Sequence, residues 1–168
     1  MFEQRFEHDW FQRIRHRSQE EVLQISKEYS ITSTIVDYSF VPWKAKKDFI
    51  WGKNGKQYID FHSGVGCNNL GHANSQIFKA ISRQLYGFGI INVPANDYPS
   101  PLATDLSEVL CGITPGKFPK KVFLSNSGTE AVEAAIKMCF KHNLKRKKFF
   151  SFQGAFHGRT LGALALTS

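Results

Sequence analysis

The stretch Lys121–Lys141, KVFLSNSGTEAVEAAIKMCFK, decides how this chain is read. Lys121–Leu124 favours extended backbone, and Ser125-Asn126-Ser127-Gly128 is turn chemistry, with Gly128 free to take a positive φ. Ser127 or Thr129 can cap a helix. Glu130 and Glu133 fall in its first turns, where the helix dipole favours acid. Val132, Ala135, Ile136, Cys139 and Phe140 recur at the spacing of one apolar helical face. A strand that turns through Ser-Gly-Thr into a helix N-terminus offers free N–H groups to an anion. The amides of Gly128 and Thr129 would donate to a phosphate, and the Ser127 and Thr129 hydroxyls can add further bonds. The same residues serve other junctions only as turn and cap, so the stretch does not stand alone.

A second stretch follows. Lys148–Phe152 (KFFSF) is another β-favouring run. Strand, helix and strand in this order predict a βαβ unit with parallel strands and a right-handed crossover. The second strand runs into Gln153-Gly154-Ala155-Phe156-His157-Gly158-Arg159-Thr160. Ligands of open α/β sheets collect at the carboxyl ends of strands, where this loop and the Ser127–Thr129 turn would both lie. Phe156 offers a flat face, His157 an imidazole, and Arg159 a fork for a carboxylate. Taken singly, each also fits a plainer role: core Phe, capping His, solvated Arg.

Together these residues resemble the N-terminal part of a class III pyridoxal-phosphate-dependent aminotransferase, the group that includes the 4-aminobutyrate, ornithine and acetylornithine enzymes. NSGTEAVEAAIK at Asn126–Lys137 and GAFHGRTLGALALT at Gly154–Thr167 carry the likeness. GKQYIDFHSGVGCNNLGH at Gly55–His72 and the Leu102–Pro115 segment agree in order and spacing. The resemblance runs from about Phe40 to Ser168. It implies an α/β protein of fold type I: a small-domain hairpin plus the first part of a large, mostly parallel sheet. Residues 1–62 would be the N-terminal helix and small-domain segment, and residues 63–168 the first part of the large cofactor-binding domain.

The resemblance also implies roles. Ser127, Gly128 and Thr129 would hold the phosphate of pyridoxal 5′-phosphate. Phe156 would stack on its ring, with His157 beside it. Arg159 matches a position that helps bind a substrate carboxylate. The implied activity moves an amino group between an amino acid, such as 4-aminobutyrate or ornithine, and a 2-oxo acid. The complete protein would be a homodimer. The lysine that forms the Schiff base with the cofactor, and the aspartate that pairs with the pyridine nitrogen, are expected beyond Ser168, on the same or a separate chain. The apolar run Leu161–Ser168 reads as an element cut in the middle, so this chain alone is expected to be inactive. The alternatives are an amino-acid racemase on the same scaffold, or a non-catalytic, phosphate-binding remnant.

Composition narrows the setting. The chain has 168 residues, enough for a sizeable core. Its net charge is +8, concentrated partly in Lys145-Arg146-Lys147-Lys148. That run suits a nucleic-acid patch or a helix C-terminus followed by a solvated loop. The second is favoured, because no aromatic residues interleave the charges. No nucleic-acid partner is therefore expected. Cys67, Cys111 and Cys139 are widely spaced and form no CxxC pair, so no metal site is expected. An odd cysteine count and an N-terminus without an apolar signal core suit the cytoplasm. No apolar run has the length of a membrane span.

In chain order, Ser18 and Glu21 form a capping-box pattern ahead of a helix. Asp37–Trp43 reads as extended. Asn54-Gly55 between two β-favouring runs predicts a hairpin, with Trp51, Tyr58 and Phe61 as core. Ser63–His72 is rich in Gly and Asn. The resemblance places it near the active site at the dimer interface, where one or more of Val65, Gly66 and Asn68 would line the substrate pocket, while His72 reads as structural. Helices are predicted at about Asn74–Tyr86, with Gly87 as C-cap, and at about Pro101–Cys111, separated by a loop over Phe88–Pro99.

Overall fold

The computed structural model describes residues 12–31, 39–89 and 97–168. Residues 32–38 of the extended approach and 90–96 of the central loop lie outside the described residues. The chain separates into two compact units, Met1–Ile91 and Asn92–Ser168.

In the first unit, helix α1 spans Gln19–Tyr29 and opens on the predicted capping box. Ser18 Oγ accepts from the Glu21 N–H at 3.2 Å, and the Glu21 carboxylate accepts from the Ser18 N–H at 2.7 Å. Three antiparallel strands follow in the order β1 (Pro42–Lys46), β2 (Phe49–Gly52) and β3 (Gln57–Ile59). The predicted hairpin joins β2 to β3. Gly55 takes φ 78° there, and Asn54 Oδ1 accepts from the Lys56 N–H. Lys53, in the same turn, donates from Nζ to the carbonyls of Ile14 and Arg17 at 2.9 and 2.7 Å. A lysine on the last carbonyls of a helical turn satisfies acceptors that have no partner within the helix.

Tyr58 meets Phe40 edge to face at 4.8 Å but stays on the exposed edge strand and is not core as expected. Phe61, expected in the core, is instead 93% exposed, because β3 ends before it and nothing within the unit covers that face. Helix α2 spans Ser75–Arg83, with Asn74 as N-cap. It does not end at Gly87 as predicted. The chain continues in a wider π turn over Gln84–Phe88, and Gly89 takes the positive φ, at 74°. The extra residues of that turn move the left-handed stop two places along.

In the second unit, helix α3 spans Pro101–Ile113, with Pro101 in its first turn. Lys120 Nζ caps its far end on the carbonyls of Cys111 and Thr114. Helix α4 spans Gly128–His142, and the four-residue helix α5 spans Leu161–Leu164. Residues 121–125 and 146–152 flank α4 and form neither helix nor strand. The parallel strands predicted at Lys121–Leu124 and Lys148–Phe152 are not formed. Among the described residues the hydrogen-bonded sheet is β1–β2–β3. The two runs of a βαβ unit need not be neighbours, since another strand can lie between them. Phe123, Leu124, Phe150 and Phe152 are exposed, so little among the described residues covers either run.

The apolar face predicted on α4 is likewise largely uncovered, with Phe140 meeting Phe149 edge to face at 5.0 Å. The buried apolar side chains among the described residues are Val41 and Ala163. Ala163 sits where α5 packs on α4, the part of the second unit that carries the candidate site.

Candidate functional site

Ser127 ends the extended run and caps α4: its Oγ accepts from the Glu130 N–H at 3.2 Å. The Glu130 carboxylate turns back and accepts from the Asn126 N–H at 2.8 Å. One of the four free donors at this helix start, the Glu130 N–H, is thus satisfied locally, along with the Asn126 N–H just before the cap. The N–H groups of Gly128 and Thr129 have no acceptor among the described residues. Gly128 does not use a positive φ, contrary to expectation. It is the first helical residue, and a Cβ added there would meet nothing within 4 Å. Its value is the open space over two unpaired donors at the positive end of a 15-residue helix.

The loop from residue 154 to 160 returns to the same helix. Gly154 and Gly158 take φ 75° and 139°, a region closed to most side chains. Gly158 is buried against α4: a Cβ there would lie 2.8 Å from Thr129 Cγ2 and 2.9 Å from Ala163 Cβ. Phe156 is 70% exposed, so its side chain is accessible to a flat ligand. The His157 N–H donates to Thr167 Oγ1 at 3.0 Å, and the Thr167 hydroxyl reaches the carbonyls of Gly158 and Ala163. Ser168 closes the base, accepting from the Gly154 N–H at 2.7 Å. Arg159 is exposed and engaged within the structure.

Glu133 ties the loop to the helix. Its Oε1 accepts from Thr160 Oγ1 at 2.5 Å and from the N–H groups of Gly162 and Ala163 at 2.9 and 3.2 Å. Thr160 precedes α5 without capping it by its own side chain, so a carboxylate from α4 does so instead. These bonds, that of Thr160 foremost, hold the Glu133 carboxyl below the usual carboxylate range.

Of the predicted site residues, Ser127, Gly128, Thr129, Phe156, His157 and Arg159 all lie in this unit. Gly158 brings their two segments together at Thr129. The sequence reading missed Glu133, which it took only as a dipole complement. It also missed Gly158, Gly162 and Thr167 as the parts that close the loop. Two glycines four apart beside a Thr were the available signal.

The first unit holds the other predicted loop. Asp60 accepts from the His62 and Ser63 N–H groups, both at 2.9 Å, and pairs with His72 Nε2 at 2.7 Å. The Ser63 amide first, then His72, keep the Asp60 carboxyl below its ordinary range. Between them Ser63, Gly64, Val65 and Gly66 all take left-handed backbone, with Val65 at φ 58°, an uncommon state for a β-branched residue. Lys47 and His72 bridge through both backbone bonds at 2.8 Å, which holds the loop's far end beside β1.

The aminotransferase class-III family model matches residues 32–168, and the chain belongs to that family. It is 36% identical over 165 residues to the mitochondrial acetylornithine aminotransferase of Yarrowia lipolytica, covering 94% of this chain and 39% of that protein. It is 38% identical over 124 residues to the LysW-aminoadipate semialdehyde/glutamate semialdehyde transaminase of Sulfolobus acidocaldarius, covering 74% of this chain and 31% of that one. Its fold matches the taurine:2-oxoglutarate aminotransferase of Bifidobacterium kashiwanohense, solved with pyridoxal phosphate and glutamate. The TM-score is 0.76 at 32% identity, over 88% of this chain and 33% of that one. The fold is therefore the N-terminal part of the α/β fold type I, and pyridoxal phosphate is the family's cofactor. The chain spans about a third of the length of the relatives it matches. The comparisons lend the racemase alternative no support.

The donor set fits this cofactor: two unpaired amides at a helix start for a phosphate, and an exposed aromatic face for a ring. Among the described residues no helix is long and apolar enough to cross a membrane.

Proposed function

We propose that the complete protein moves an amino group between an amino acid of the ornithine or 4-aminobutyrate type and a 2-oxo acid. The observation that carries this reading is the clasp of the Phe156–Arg159 loop onto the helix whose first two amides are unpaired. Ser127, Gly128 and Thr129 take the phosphate. Phe156 takes one face of the ring, with His157 beside it, and Arg159 binds a substrate carboxylate as a planar, two-pronged donor. The bound cofactor supplies an electron sink for carbanion chemistry, and the protein supplies position and charge.

Residues 1–62 form the helix and small-domain segment, and 63–168 the start of the large domain. One or more of Val65, Gly66 and Asn68 line a substrate pocket at the dimer interface. The working assembly is a cytoplasmic homodimer in which the cofactor-linking lysine and its aspartate lie outside these 168 residues. The two relatives above, named for acetylornithine and for semialdehydes, favour a donor whose reacting amine is remote from a carboxylate.

The test incubates the full-length protein with pyridoxal phosphate, then with ornithine, acetylornithine or 4-aminobutyrate and 2-oxoglutarate. Glutamate formation, with conversion of the cofactor to its amine form by the donor alone, is the expected result. Bound cofactor that no donor converts would overturn amino transfer and restore the phosphate-binding alternative. Residues 1–168 alone are expected to show no cofactor fixed by borohydride.

A further inference from the structure

We infer that Glu133 is the positioning residue of this site, holding the Phe156–Arg159 loop in register with the phosphate turn; the inference rests on the cofactor reading above. Glu133 lies one helical turn past Thr129 on the same helix, so its carboxylate is fixed relative to the two unpaired amides. Three donors from the far side of the loop converge on one of its oxygens, Oε1: the Thr160 hydroxyl and the Gly162 and Ala163 N–H groups. All three follow the Phe156–Arg159 stretch within a few residues.

The packing leaves little slack at this joint. Gly162 lies so close that a Cβ there would come within 2.6 Å of Glu133 Oε2, and Ala163 is fully buried. Gly158 rests on Thr129 one turn nearer the helix start. The loop is thus held at two points along α4. One is steric, through Gly158 on Thr129, and the other is polar, through Glu133. Without the second, the loop could turn about the first. Phe156 and Arg159 would then move while the amides of Gly128 and Thr129 stayed in place.

That separation gives the test. Wild-type, Glu133→Ala and Glu133→Gln forms of the full-length protein are titrated with pyridoxal 5′-phosphate, followed by visible circular dichroism. They are also titrated with inorganic phosphate alone, followed by protein fluorescence. Glu133→Ala is expected to leave the phosphate affinity within about twofold. It should weaken pyridoxal phosphate about tenfold and flatten the visible dichroism, the range seen when a supporting residue is lost. Glu133→Gln should restore most of both, because its carbonyl oxygen can take the place of Oε1. Thr160→Val, which removes one of the three donors and keeps the helix cap, should shift binding in the same direction by a few-fold. It serves where Glu133→Ala does not fold. Unchanged cofactor binding in Glu133→Ala or Thr160→Val would overturn the inference. So would equal loss of phosphate and cofactor, or a Gln variant as impaired as Ala. A wild-type protein with no visible cofactor signal would instead sink the aminotransferase reading itself.

Discussion

Gly158 lies against Thr129 so closely that even a single methyl group has no room between them. Its φ of 139° is one that side chains rarely adopt. Both effects penalise Gly158→Ala. Backbone strain alone costs on the order of 1–3 kcal/mol, before the contacts with Thr129 and Ala163 are counted. The expected result is a lower melting temperature together with weaker cofactor binding. A variant as stable as wild type, with normal cofactor affinity, would show that the loop does not depend on this contact.

Gly128 behaves in the opposite way. A Cβ at this position meets open space and the backbone is already helical, so Gly128→Ala should keep its fold and bind phosphate within a few-fold of wild type. Gly128→Asp adds a negative charge beside the two amides and should abolish cofactor-phosphate binding. Retained affinity in the Asp variant, read by cofactor titration, would place the phosphate elsewhere.

Arg159→Lys tests the substrate end. Lysine keeps the charge but not the planar fork, so substrate KM should rise while cofactor affinity holds. Equal loss of both would make Arg159 a structural residue.

Asp60 sets an acid limit on the first unit. Its carboxyl is held low by the Ser63 amide and by His72. A group depressed in the folded state contributes fully above its unfolded value. The contribution is lost as pH falls through the folded one. The Asp60 share of stability should therefore be complete at neutral pH and decline only below the ordinary carboxylate range. Asp60→Asn should lower stability at pH 7 and flatten its acid dependence. Denaturant melts between pH 7 and pH 3 read the difference, and parallel curves for the two proteins would refute it.

Short-range patterns were legible in the sequence. Ser18 with Glu21, Asn54-Gly55, Pro101 and Ser127 act where they stand, because each satisfies or frees backbone groups within a few residues. Four motifs in the right order pointed to the family. What could not be read were partners far apart in the chain. Glu133 resembled any first-turn acid until its donors at Thr160, Gly162 and Ala163 were seen, nearly thirty residues on. The stop at Gly89 instead of Gly87 depends on a π turn that no propensity marks. The strands expected at Lys121–Leu124 and Lys148–Phe152 are absent among the described residues because a strand is defined by its neighbour, and periodicity says nothing about which segment that neighbour is.

The uncovered runs on either side of α4 have a consequence for handling this polypeptide. Phe150 and Phe152 stand 93% and 88% exposed in a β-favouring run that is neither helix nor paired strand. Such a segment takes any matching strand it meets, including its own copy on another molecule. Synthesised by itself, the 168-residue chain is expected to gather into inclusion bodies and to be a client of holding chaperones. Co-expression with a segment that covers these phenylalanines should bring it into the supernatant.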